Sequence, residues 1–168
     1  MEVQEALLKR RSVRKFTAEK VSNEDIDILL HAAMSGPSAC NKKPWEFFVV
    51  TDVDILDKLR YASKYTNYIA PLAIIVAGNL NKALAMPYTS YWIQDCSAAS
   101  ENILLAATDL NLGSVWCGLH PQKEAEENVR STLKLDDSFV CLNIIFIGHM
   151  ANEVIPSCQY DENCVHYI

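Results

Sequence analysis

Residues 139–148 read FVCLNIIFIG. Successive side chains of a strand point to opposite faces, and here both faces are apolar, so this segment belongs inside a sheet. Two further strand-like runs precede it: EFFVVT at 46–51, rich in aromatic and β-branched residues and expected to be buried, and LAIIVAG at 72–78 behind Pro71. Helical patterns lie between and around them. Residues 2–10 suit a short helix with Val3, Ala6, Leu7 and Leu8 near one face. Ser22 followed by Asp25 opens a second, with Ile26, Leu29, Leu30 and Ala33 at helical spacing and Gly36 as its stop. Asp52 caps a third through Ile55, Leu56 and Leu59. Residues 91–111 contain no glycine or proline and read as the central buried helix, with small residues at 96–100 that admit another helix closely. Pro121 is placed to open the last helix at its first position.

A chain of 168 residues is one domain, able to bury roughly 70% of its unfolded surface. Its net charge of −6 and the lack of a basic stripe argue against nucleic acid as a partner. The first residues, MEVQEALLKR, lack the basic and apolar regions of a secretory leader, and no apolar run is long enough for a membrane span. The six cysteines, 40, 96, 117, 141, 158 and 164, form neither a CxxC pair nor a zinc-like spacing. Reduced thiols in a cytoplasmic protein are therefore expected, with four of the six in apolar or pocket-like segments. The glycines are too dispersed for a dinucleotide fingerprint.

Three segments carry chemistry. RRSVRKF at 10–16 gathers Arg10, Arg11, Arg14 and the Ser12 hydroxyl at the end of a short helix, a donor set that suits a phosphate. GPSACNKKPW at 36–45 is a turn-forming run, an amide and a Pro-Trp pair. LNLGSVWCG at 110–118 has Gly113, placed to stop the long helix, and Gly118, which permits close backbone approach to a ligand. Each alone is ordinary: a solvated basic run, a loop, a helix end. In this order over two-thirds of the chain they resemble the FMN-binding signature of the nitroreductase family.

That resemblance implies an α+β, three-layer α/β/α fold with a central, mostly antiparallel sheet, and a homodimer with FMN at the subunit interface. It implies phosphate contacts from Arg10 and Ser12 with Arg11 beside them, and Arg14 at the N1/O2 edge of the flavin. Pro37, Ser38, Ala39 and Asn41 match a loop delivered from the other subunit. Val115, Trp116, Cys117 and Gly118 match a loop beside N5, and Asn67 a polar residue on the pyrimidine edge. The chain departs from the family pattern at Lys43, where glutamine usually precedes Pro-Trp, and at Gln159, where the family often supplies a basic residue to the phosphate. Residues 1–168 are expected to form one FMN-binding domain, with 151–168 a C-terminal arm lying on a second subunit.

The implied activity is transfer of hydride from NADH or NADPH through FMN to an electron-poor small molecule, such as a nitroaromatic or a quinone, in a two-step cycle. The flavin does the chemistry, so no catalytic side chain is required; Arg14 acts electrostatically and no metal is needed. Two alternatives stay open: a relative performing dehalogenation or enone reduction, and a flavin-binding protein for storage, sensing or electron relay without NAD(P)H turnover. His120, just past the third segment, is a candidate for lining the substrate site, whereas His31 reads as a helix-end surface residue and Trp45 and Trp92 as core.

Overall fold

The computed structural model describes residues 1–168. Five helices, α1 (Val3–Lys9), α2 (Asn23–Met34), α3 (Val53–Leu59), α4 (Tyr91–Asp109) and α5 (Lys123–Leu133), surround four strands, β1 (Trp45–Val50), β2 (Leu72–Asn79), β3 (Leu112–Gly118) and β4 (Phe139–His149). The sheet is antiparallel throughout, in the order β1-β2-β4-β3. β2 is buried along its whole length and β4 along all but its ends, as their two-faced apolar patterns require. β1 stands at an edge and is only partly buried, with Val49 exposed, which corrects the expectation of a buried strand.

The period-2 alternation divides two cores. Leu72, Ile74, Val76, Ile145 and Ile147 face α2 and α4 through Leu29, Ala33, Ala99 and Ile103. Ala73, Ile75, Ile144 and Phe146 face α3 and α5 through Leu56, Leu59, Ala125 and Val129. The result is the expected three-layer α/β/α architecture. Small residues let α2 and α4 approach closely: a Cβ at Gly36, just past α2, would stand 3.4 Å from the backbone nitrogen of Ala99.

Both expected caps form. Ser22 Oγ accepts from Asp25 N at 3.0 Å, and Asp52 Oδ1 accepts from Asp54 N and Ile55 N, each at 3.0 Å. Each such cap contributes about 1 kcal/mol. Three expectations are corrected. α4 is ended by Asn111, which takes the left-handed conformation at φ 58, rather than by Gly113. Residues 112–118 are then a strand instead of a loop. Pro121 follows a cis bond and lies ahead of α5, whose N-cap is Gln122. In α1 only Ala6 is buried; Val3, Leu7 and Leu8 are exposed.

A bulge shapes the end of the sheet nearest the third motif. Val76 pairs with Asn143 but Ala77 with Cys141, so Leu142 is the extra residue, and its carbonyl accepts from both Leu119 N (2.9 Å) and His120 N (3.1 Å). Beside it, Gly78 makes room for the Trp92 indole: a Cβ there would lie 2.4 Å from Trp92 Cε3. Gly78→Ala is therefore expected to cost about 1–3 kcal/mol by overpacking, read as a lower midpoint in chemical denaturation. A midpoint like that of the unsubstituted protein would mean that the buried indole moves aside freely.

Candidate active site

β3 pairs with β4 along one edge, and the first motif lies along the other. Ser12 forms a parallel bridge with Ser114, and Val13 N donates to Ser114 O at 2.9 Å. Gly113 makes this contact possible, since a Cβ there would stand 2.6 Å from Val13 Cγ1 and 2.8 Å from Met150 Cγ. With Val13 buried and Ser12 and Arg14 exposed, the alternation of an extended chain turns those two side chains outward. Motifs a hundred residues apart in sequence thus meet at one sheet edge.

Arg10, Arg11, Ser12, Arg14 and Gln159 line a cavity of about 270 Å³ without an apolar residue. Arg10 is the C-cap of α1, and its Nε lies 3.6 Å from Glu101 Oε1 of α4. Arg11 and Arg14 pair with no carboxylate; Arg14 Nη1 donates to the Ser12 carbonyl at 3.3 Å. Uncompensated guanidinium groups in a protein of net charge −6 make this a local positive field suited to an anion. Gln159 comes from the C-terminal arm, which runs exposed and touches its own chain through Ser157 N, donating to Leu8 O at 3.2 Å.

Val115 and Cys117 turn their side chains into the α3/α5 core, and Trp116 turns toward the α4 side. Burial pushes the Cys117 thiol up to about 12 despite the nearby positive charge of Arg14, so this residue offers the site its backbone and no thiolate. Burial likewise raises Cys96 and Cys141 to about 12, whereas Cys40, expected in a pocket-like segment, is exposed. All six cysteines are free, Cys158 and Cys164 included. Gly118 is different from its neighbours in β3. A Cβ built there meets nothing within 4 Å, leaving open ground above the strand end.

Other expected site residues lie apart from this cavity within the chain. Pro37, Ser38, Ala39 and Asn41 belong to a loop held on α4: Ala39 N donates to Asp95 Oδ1 at 2.8 Å and Lys43 N to Ser38 Oγ at 3.0 Å. Cys40, Asn41 and Lys43 all have positive φ, so the loop stores backbone strain that these bonds hold in place. Asn67 Oδ1 accepts from Arg60 Nε (3.3 Å) and Nη2 (3.0 Å), at the C-terminal end of α3. A larger cavity, about 510 Å³, is distinct from the arginine cradle and lies between α3 and residues 17–23 and 68–72. Trp45 and Trp92 are core residues and His31 is exposed in the last turn of α2, as expected.

Sequence spacing missed Asp95, Glu101 and Glu126. Asp95 meets Ala39 across 56 positions, and Glu126 meets His120 across a turn with no recognisable local pattern. Only the assembled fold brings them together.

An antiparallel α/β/α sandwich with an arginine-lined anion cradle on a sheet edge narrows the class considerably. The chain belongs to the nitroreductase family: the family model "Nitroreductase family" matches residues 7–67 and 68–149. It is 38% identical over 170 residues to a protein of Methanothermobacter thermautotrophicus provisionally named NADH dehydrogenase/NAD(P)H nitroreductase, covering 99% of this chain and 86% of that one. A crystal structure of a protein so named from Parabacteroides distasonis superposes with a TM-score of 0.92 at 36% identity, covering 98% of this chain and 96% of the other. An FMN-dependent nitroreductase from Clostridium difficile gives a TM-score of 0.88 at 31% identity, covering 96% of each chain. No helix of this chain is long and apolar enough to cross a membrane.

Proposed function

We propose that this protein is an FMN-dependent NAD(P)H oxidoreductase that passes hydride to an electron-poor small molecule such as a nitroaromatic or a quinone. The observation that carries the reading is the meeting of the arginine motif with β3. The residues present fit FMN. Arg10, Arg11 and the Ser12 hydroxyl offer charged and neutral donors to a phosphate, and Gln159 adds an amide. The open ground over Gly118 admits a flat ring against the backbone. Arg14, without a carboxylate partner, is free to face the ring edge where negative charge develops.

When bound, FMN supplies the hydride chemistry. The chain's part is to bind and orient. The cradle would hold the phosphate, the backbone of Val115, Trp116, Cys117 and Gly118 would lie beside the ring, and Arg14 would bias its charge. The same reading makes residues 1–168 one FMN-binding domain that works as a homodimer. The strained loop carrying Pro37, Ser38, Ala39 and Asn41 serves the flavin of the second subunit, Asn67 serves the pyrimidine edge, and the arm 151–168 lies at the interface.

Purified protein is expected to be yellow, and mass spectrometry of the extracted flavin should find FMN and not FAD, because the cradle is lined wholly by polar side chains and offers no apolar wall to an adenine ring. Anaerobic addition of NADH or NADPH should then bleach the flavin rapidly. Extraction of FAD, or no uptake of added FMN, would overturn the cofactor assignment. Bound FMN that neither nicotinamide reduces would favour a storage, sensing or relay role.

A further inference from the structure

We propose that His120 is the proton donor to the electron acceptor and that Glu126 is its positioning residue. The inference rests on the oxidoreductase reading above and adds a side chain to it. His120 stands two residues beyond Gly118, so its Cα lies within about 7 Å of the Gly118 Cα, beside which the ground is open. The Leu142 bulge fixes that backbone by accepting from His120 N.

The ring is held on two sides. Nδ1 lies 2.7 Å from Glu126 Oε1, and the Glu126 side chain is only 12% exposed. The Trp92 indole and the imidazole meet edge to face, at 5.1 Å between centroids and 68° between planes. Nε2 makes no hydrogen bond within the chain and is reached by solvent, the side chain being 23% exposed. A carboxylate on Nδ1 selects the Nδ1–H tautomer of the neutral ring, so Nε2 is the nitrogen that gains and gives a proton. An ion pair serving only to join α5 to the strand end has no need of that free nitrogen.

The charged groups facing the ring come from α5: Glu126, and behind it Lys123, whose Nζ is 3.5 Å from Glu126 Oε2. α4 presents the uncharged indole, and β4 presents the Leu142 carbonyl and the nearby Cys141 thiol, which burial and Glu126 together keep protonated.

The chemistry needs one proton for every hydride. With a quinone as acceptor, one hydride from the reduced cofactor carries two electrons and forms the hydroquinone anion. The Nε2–H bond of the protonated imidazole then breaks, an O–H bond forms on that anion, and the neutral ring recovers a proton from water. The cofactor is oxidised, the quinone is reduced, and His120 ends as it began.

The test separates the two half-reactions in FMN-loaded protein. Reoxidation of dithionite-reduced protein by 1,4-benzoquinone is expected to fall roughly a hundredfold in His120→Asn and to lose its solvent deuterium isotope effect. FMN affinity should stay within twofold, and added imidazole should restore part of the rate in His120→Ala. In ring-¹⁵N-labelled protein without FMN, the neutral His120 ring should be the Nδ1–H tautomer, turning to a mixture in Glu126→Gln. Unchanged reoxidation in His120→Asn, or an equal loss in FMN affinity, would overturn the proposal. Failure of the unsubstituted protein to be reduced by either nicotinamide would instead overturn the oxidoreductase reading, because reoxidation is measured after chemical reduction.

Discussion

Deletion of residues 151–168 is expected to weaken FMN binding by at least tenfold and to shift the protein from dimer to monomer. The arm makes few contacts with its own chain, yet it carries large apolar side chains into solvent: Ile155 is 85% exposed and Tyr167 96%. Fully burying one such side chain contributes roughly 1.5–3 kcal/mol, so a second subunit that covers several gains enough to offset much of the cost of ordering the arm. At the same time the arm delivers Gln159 to the arginine cradle, two residues after Ser157 fastens to Leu8. Cofactor and arm then share one cavity, and filling it stabilises the arm's bound position by mass action.

Two controls divide the effect. Gln159→Ala removes one hydrogen bond to a charged group, worth roughly 1.5–3 kcal/mol, and should weaken FMN binding by about one to two decades without changing the assembly. Gln159→Arg should tighten it, since a guanidinium adds a charge-assisted bond to a phosphate. Titration of flavin fluorescence and sedimentation of the truncated chain give both readouts. A truncated monomer that binds FMN as the full chain does would refute the coupling between arm and cofactor.

How much of this was legible in the sequence differs between fold and site. The inner strands, the two-faced burial of β4 and the caps at Ser22 and Asp52 follow from local chemistry, because burial and capping leave direct marks on composition and spacing. β3 did not. LGSVWCG reads as a loop because its two glycines look like a helix stop and a turn, and its strand state comes from pairing with β4 and from Val13 lying along its free edge. Asn111 took the left-handed position at the end of α4 that glycine more often fills, two residues before Gly113. The arginine cradle was visible as a cluster, but its wall from the arm and the latch of Asp95 on the strained loop are tertiary and have no local signature.

Arg14→Ala is expected to lower the two-electron midpoint potential of the bound flavin by about 30–65 mV. The argument is differential. A guanidinium at the N1/O2 edge stabilises the anionic reduced flavin more than the neutral oxidised one, and a charged contact of roughly 1.5–3 kcal/mol converts to that shift at about 30 mV per 1.4 kcal/mol. Three features support this role for Arg14 over its neighbours. It projects outward from the segment lying along β3, its charge is felt at Cys117 in the third motif, and it has no carboxylate partner to neutralise it. Arg14→Ala should also slow reduction by NAD(P)H while leaving assembly and stability intact, because the side chain is exposed. Arg10→Ala should do the reverse, weakening FMN binding with little change in potential, since a phosphate contact is indifferent to the redox state of the ring. Two merely solvated arginines would alter neither property. Redox titration of both variants at saturating FMN separates these outcomes, and an unchanged potential in Arg14→Ala would show that this guanidinium lies away from the ring.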